Sequence, residues 1–174
     1  MLSYLFWGAH TTDSPITPTA SINGDVDTPE IETFHPSRPI LNSSNSILLP
    51  FDAFLIYLDT SLKSLTLHTA ARNDFVTYWL PSFIRIHERG QLISMRFVEQ
   101  EAYEQAAVLK VEPKPDVVTR VFMLFKGVDS AELGWAEARD RVEIVDWRVV
   151  VGVKENAMDE GVFRVLECGG MEVL

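Results

Sequence analysis

The hydrophobic pattern of this chain changes its period once, near Gly90, and this change constrains the fold more than any other feature. Before it, large apolar residues recur at spacings of three and four, which is typical of an amphipathic helix: Phe51, Phe54, Leu55, Leu58, Leu62 and Leu65. After it, residues 92–98 and 117–125 are rich in alternating, β-branched and aromatic residues, which is typical of strands. The pattern predicts an α+β fold in which two principal helices pack on a mostly antiparallel sheet, with an extended N-terminal arm.

The second principal helix is expected to begin near Thr69, with Phe75, Val76 and Trp79 on its apolar face. Pro81 has no backbone donor and disfavours helical geometry in the residue before it, so we expect the helix to end or kink there. His87 is then expected on a solvent-exposed strand or turn.

Shorter apolar segments predict the remaining elements. A short helix is expected over residues 99–107 and one or two helical turns over residues 131–140. Strands are expected over residues 108–111, 142–153, 162–166 and 171–174. Gly169 and Gly170 favour a turn between the last two strands.

The N-terminal quarter differs in composition from the rest. Residues 9–46 contain five prolines, many Ser and Thr and no sustained periodicity, which is typical of a loop-rich segment. We therefore divide the chain into a Pro/Ser/Thr-rich arm, residues 1–46, partly docked on the core as short strands, and a single α+β domain, residues 47–174. Tyr4, Phe6 and Trp7 are expected to dock on the domain, as simple packing or as a site for another molecule.

The charge balance narrows the possible partners. The chain has 25 acidic residues and 15 Lys and Arg, a net charge of −10, and no basic run, so neither nucleic acid nor an anionic membrane is an expected partner. No segment approaches the ~20 apolar residues of a membrane span. The short apolar N-terminus lacks a basic leader, so a cytoplasmic location is the expectation. We expect the excess acidic residues to lie on the solvent-exposed face of the sheet. The alternative is an acidic surface that binds a cationic partner.

Motifs for familiar chemistry are missing from the sequence. It has no phosphate-binding glycine loop, no Cys/His metal spacing and no nucleophile elbow, so no metal or cofactor is expected. Cys168 is the one cysteine. We expect a buried structural thiol, with a catalytic thiol as the alternative.

The segment at residues 72–81 is the most distinctive part of the chain. It places Arg72, Asp74 and Tyr78 on two helical turns, just after His68. These four are the candidates for catalysis around a pocket. His68 has a simpler alternative as a capping or loop residue.

Four residues are candidates for ligand binding. Tyr78 and Trp79 combine apolar area with a hydrogen-bonding tip, which serves binding surfaces and cores alike. Arg120 lies within an apolar strand and needs a carboxylate if it is buried; Glu167 and Asp74 are available. Tyr78, Trp79, Arg120 and Glu167 are therefore the candidates for ligand binding, whereas core packing with hydrogen-bonded polar tips is the first expectation for the aromatic pair.

Three segments carry a family resemblance: FVTYWLP at residues 75–81, EPKPDVVTRVFMLF at residues 112–125 and ECGGME at residues 167–172. They resemble an uncharacterised, mainly fungal family, and similar segments occur in some bacterial exported proteins. The resemblance covers roughly residues 50–174 and excludes the arm. It implies no named activity and no catalytic residues. The family often has Trp at the position of Cys168, which argues against a catalytic thiol, and the exported relatives make export an alternative location.

The expected function is therefore a small soluble binding or interaction module. Its partner would be an unknown protein or a small apolar molecule, and the sequence does not specify an oligomeric state. The alternatives are a structural subunit and a small enzyme of unfamiliar type that acts on a hydrophobic small molecule. For the enzyme, His68, Arg72, Asp74 and Tyr78 would line an enclosed apolar cavity.

Overall fold

The computed structural model describes residues 33–174. Its elements, in chain order, are β1 (Ile47–Leu49), α1 (Phe51–Ser64), α2 (Thr69–Glu88), β2 (Gln91–Phe97), α3 (Gln100–Ala106), β3 (Val117–Asp129), α4 (Ala136–Asp140), α5 (Trp147–Val151) and β4 (Arg164–Glu172). Short 3₁₀ turns lie at Arg141–Glu143 and Glu155–Met158.

The four strands form one sheet in the order β1-β2-β3-β4. β1 pairs with β2 and β2 with β3 in antiparallel fashion, whereas β4 runs parallel to β3. The predicted α+β class, with helices on a mostly antiparallel sheet, is confirmed.

Side chains pack on both faces of the sheet. On the first face, α1, α2 and α5 enclose the main core, where Phe54, Phe83, Met95 and Phe125 are fully buried. On the second face, α3 and residues 33–41 cover a smaller aromatic cluster, and α4 covers Leu48 and Val128. The expectation that one whole face meets solvent is therefore wrong, because residues 33–41 before β1, α3 after β2 and α4 after β3 fold over it.

Both principal helices form where the sequence predicts them, but α2 does not end at Pro81. It continues to Glu88, because Phe75, Phe83 and Ile86 bury one continuous apolar stripe against the sheet. That burial offsets the missing backbone hydrogen bond. His87 consequently lies in the last turn of α2, stacked on Phe51 with 4.9 Å between ring centroids, and not on a strand or turn.

Residues 142–153 form a 3₁₀ turn and helix α5, so the strand predicted there is wrong. Trp147 and Val151, four residues apart, are buried, whereas Val149 between them is 75% exposed, which is a helical and not an alternating pattern. The Asp146 carboxylate accepts a hydrogen bond from the Arg148 amide at 2.9 Å and caps the helix. Gly152, with φ of +77°, ends it in the left-handed region.

The last part of the chain is one strand, β4, and not two strands around a glycine turn. At Gly170 a Cβ atom would lie 3.0 Å from the Met123 carbonyl oxygen and 3.2 Å from Trp79 Nε1. Glycine therefore lets β3 and the Trp79 side chain of α2 approach β4 closely. The strand predicted over residues 108–111 is also wrong. That segment is a loop, and the carbonyl of Ala107 just before it accepts a hydrogen bond from Arg120.

The described part of the arm, residues 33–46, contains turns and bends but no strand. Phe34 and Leu41 are buried against α3 and β3. Tyr4, Phe6 and Trp7 lie outside the described residues. Within residues 33–174, no helix is long and apolar enough to cross a membrane.

Candidate functional site

The four candidate catalytic residues lie on or beside α2 but do not form one site. His68 caps the helix, since its Nδ1 accepts a hydrogen bond from the Ala71 amide at 3.2 Å, which was one of the expected roles. Arg72 donates to Asp59 at 2.8 Å and to the Leu67 carbonyl at 3.0 Å, both near the turn before α2. Asp74 is exposed, and Tyr78 is 66% exposed. Among the hydrogen bonds of residues 33–174, none joins two of these four side chains.

Two depressions in the described surface lie elsewhere. One, beside Arg96 and Phe34, has about 10 Å³, the space of roughly one water molecule. A second is an open groove of about 520 Å³ along residues 109–118. None of the four candidate catalytic residues lines either one. Within residues 33–174, no group of three or more His, Cys, Asp and Glu residues could hold a metal ion.

The four candidate binding residues, in contrast, all surround β4. Trp79 packs edge-on against Phe125, 5.1 Å between centroids, and covers Gly170 of β4. Tyr78 packs edge-on against Trp79 at 4.9 Å and leaves most of its ring in solvent. Trp79 therefore lies against the strand on the α2 face, and Tyr78 packs on Trp79 at the surface.

Arg120 and Glu167 hold β4 from the opposite face. Arg120 is only 1% exposed, and it forms ion pairs with Glu167 of β4 and Glu104 of α3 and donates to the Ala107 carbonyl. Its guanidinium also lies 4.3 Å from the centroid of the Tyr103 ring. The expectation of a carboxylate partner is met by Glu167 and not by the exposed Asp74. Arg120 Nη2 has no hydrogen-bond partner among the described residues.

Glu104 and Tyr103 were missed by the sequence reasoning. The available signal was weak: α3 was predicted, but nothing in the sequence shows which of its faces meets β3. The Tyr103 hydroxyl donates to Glu167 at 3.2 Å, so α3, β3 and β4 share one polar cluster.

The pKa shifts in this cluster follow from burial and neighbouring charge. Burial raises the pKa of the Tyr103 hydroxyl, and the Glu167 carboxylate raises it further. Burial alone would lower the pKa of Arg120, but the hydrogen bonds and charges of Glu167, and then of Glu104, raise it overall. Arg120 therefore stays a cation and Tyr103 stays a neutral donor. The cluster of Arg120, Glu167, Glu104 and Tyr103, which we call the Arg120 clamp, joins α3, β3 and β4.

Cys168 lies at the middle of β4 and is exposed, so the expectation of a buried thiol is wrong. The physical reason is that β4 ends the sheet, and α2 covers Gly170 but not Cys168. Partial desolvation raises the pKa of the thiol, and the Glu167 and Asp74 carboxylates raise it further. A raised pKa leaves less thiolate at neutral pH, which is unfavourable for a nucleophile.

The backbone groups of β4 alternate between the sheet and its outer side. The Val117 amide donates to the Phe163 carbonyl, and the Val173 amide donates to the Phe125 carbonyl, so odd-numbered residues point their backbone groups at β3. In a strand the next residue points its N–H and C=O the opposite way. The even-numbered residues therefore direct their backbone groups away from the sheet: Arg164, Leu166, Cys168, Gly170 and Glu172.

The two edges of the sheet differ in how they are protected. β1 is only three residues long, and α4 packs beside it. β4 has nine residues, and within it there is no Pro, no Lys and no break in register with β3. Prolines, lysines and bulges are common means of preventing an edge strand from pairing with another chain, and β4 has none of the three. Among residues 33–174, no strand pairs with the outer side of β4.

Comparisons with protein-family models, with curated proteins and with solved structures found no match for this chain.

Proposed function

We propose that this protein is an interaction module that binds an extended polypeptide strand along the open edge of β4. The observation that carries the proposal is the row of outward N–H and C=O groups on five alternate residues of an unprotected, nine-residue strand. An extended peptide added to such an edge gains a ladder of main-chain hydrogen bonds, which supplies affinity.

Support for the proposal comes from the rigidity of the edge. The Arg120 clamp ties β4 to β3 and α3 on one face, and Trp79 packs over Gly170 on the other. An edge that is already held in the strand conformation does not have to be ordered when a partner binds. The entropic cost of binding is smaller for that reason.

Side chains beside the edge would select the partner. On the α2 face, Leu166 and Cys168 lie along the strand, and Trp79, with the exposed Tyr78 ring packed on it, covers Gly170, so an apolar side chain of the partner would be favoured on this face. The Asp74 carboxylate acts on the thiol of Cys168, so it is close enough to favour a cationic or polar neighbour next to that side chain.

A peptide library tests this proposal. Randomised extended peptides selected on the wild-type protein are measured against Cys168→Pro and against the matched control Cys168→Ser. Proline at residue 168 removes one outward N–H and leaves the amides that bond to β3 intact. We expect Cys168→Pro to weaken the selected peptides by ten-fold or more, which is about 1.4 kcal/mol, and Cys168→Ser to bind within about two-fold of wild type.

Equal binding of the selected peptides by Cys168→Pro and Cys168→Ser would contradict the proposal. Circular dichroism and urea unfolding of both variants verify that the comparison is between folded proteins. The enzyme alternative is not proposed, because the four side chains that it requires make no hydrogen bond to one another and line neither depression.

A further inference from the structure

We infer that the strand bound at this edge is β4 of a second copy of the chain, paired in antiparallel fashion about Cys168. The inference rests on the proposed function, because it uses the same edge and names its occupant. The dimer would have two-fold symmetry, so each residue pairs with its mirror position in the other copy.

The backbone parity of β4 permits this pairing. Centred on Cys168, the two-fold axis brings outward residues opposite outward residues: Cys168 meets Cys168, Leu166 meets Gly170 and Arg164 meets Glu172 of the second copy. Each of these is a hydrogen-bonded pair, in which the two residues exchange both N–H···O=C bonds. The whole length of β4 then contributes to one continuous eight-stranded sheet.

The side chains are complementary in this register and in no neighbouring one. Arg164 lies opposite Glu172 at both ends, and on the other face Val165 lies opposite Met171. Leu166 lies opposite Gly170, where Trp79 of the second copy supplies an apolar surface. A centre at Glu167 would instead bring two carboxylates together, and a centre at Gly169 would put Leu166 against Glu172.

The local charge allows two acidic chains to meet here. Although the chain carries a net charge of −10, the charged groups around β4 supply only a small part of it. Three are basic and five are acidic: Arg85, Arg120, Arg164, Asp74, Glu104, Asp116, Glu167 and Glu172. The remaining surplus acids lie on other parts of the surface, where repulsion between the copies is screened over roughly 8–10 Å at physiological salt.

A charge-swap experiment tests the register directly. Arg164→Glu places Glu against Glu172 twice in a homodimer, and Glu172→Arg places Arg164 against Arg twice. We expect each variant alone to dimerise ten-fold or more weakly than wild type in sedimentation-velocity runs from about 1 to 100 µM. Mixing the two variants restores both opposite-charge pairs, so we expect the mixture to form a heterodimer about as tightly as wild type forms its dimer.

Matched controls separate this effect from net charge and folding. Lys63→Glu on α1 and Glu143→Arg in the 3₁₀ turn beside β1 make the same charge changes at exposed residues of elements that pack on β1 and β2, at the other side of the sheet, and we expect both to dimerise like wild type. Because Glu172→Arg also removes the ion pair with Arg85, its thermal unfolding is compared with that of wild type.

Three results would overturn the inference. They are a monomeric wild type at about 100 µM, a dimer unaffected by the single charge changes, or variants that do not associate when mixed. A monomer that still binds library peptides at residue 168 would refute the second copy as occupant and leave the proposed function standing. A monomer whose edge takes no peptide would refute both.

Discussion

At the scale of single residues, replacing Arg120 should lower the free energy of unfolding more than replacing any other charged residue of the clamp. It is 1% exposed and neutralises two carboxylates from different elements. Arg120→Met keeps most of the side-chain volume but leaves Glu167, which is 11% exposed, without its cation. Breaking a buried ion pair from one side costs about 3–5 kcal/mol. We therefore expect Arg120→Met to lower the free energy of unfolding by about that amount, measured by urea titration.

The two carboxylates provide a graded control for this prediction. The Glu104 side chain is 44% exposed, so water replaces its partner more easily than at Glu167. We expect Glu104→Gln to cost about 1 kcal/mol or less, and Glu167→Gln to cost clearly more. Equal costs at the two positions, or a loss below 1 kcal/mol for Arg120→Met, would show that the cluster does not hold β4 in place.

Single residues also differ in how well their contacts can be predicted from the sequence. That a buried Arg120 requires a carboxylate follows from electrostatics alone, and Glu167 was among the two candidates. The Glu104 contact depends on which side of α3 meets β3, and the exposure of Cys168 depends on β4 being the last strand. The first is a property of helix packing and the second of strand order, and one sequence specifies neither.

At the scale of elements, the continuity of α2 through Pro81 gives a stability prediction. Pro81 is exposed and has no N–H to donate to the Thr77 carbonyl, so the helix lacks one internal hydrogen bond. We expect Pro81→Ala to raise the free energy of unfolding by about 1 kcal/mol or more. Thr77→Ala, also exposed on α2, measures the effect of alanine propensity alone and should be worth less than half as much. A neutral or destabilising Pro81→Ala would mean that the proline serves a purpose in the helix.

The predictions for α5 and β4 are wrong for the same reason. In α5 the β-branched residues favour a strand locally, but Trp147 packs on Phe97 with 5.3 Å between centroids and donates to the Tyr57 hydroxyl at 2.9 Å. In β4 the Gly169-Gly170 pair favours a turn locally, but Trp79 and Phe122 occupy the space that larger side chains would fill. In each case a contact distant in sequence outweighs a preference of roughly 1 kcal/mol or less per residue.

At the scale of the whole molecule, the sheet formed by residues 33–174 has one short, flanked edge at β1 and one long, unpaired edge at β4. β1 is short and has α4 beside it, whereas β4 presents its full length with its side chains fixed from both faces. Fold class and most helices were predictable, because they follow from hydrophobic period. The open edge was not, since it requires knowing that the final strand runs parallel to β3 and lies outside it.

Amide hydrogen exchange along β4 tests the central claim, that this edge accepts a strand, most directly. In the dilute monomer, the amides of Val165, Glu167 and Gly169 should exchange slowly because they bond to β3, and those of Leu166 and Cys168 should exchange rapidly.

When the protein is concentrated, or a selected peptide is added, we expect the even-numbered amides to become protected by ten-fold or more while the odd-numbered ones hardly change. The claim would be contradicted if the even-numbered amides still exchange rapidly both at high protein concentration and with a selected peptide added. It would be contradicted equally if the even-numbered amides are already protected in the dilute monomer, since the chain itself would then cover the edge.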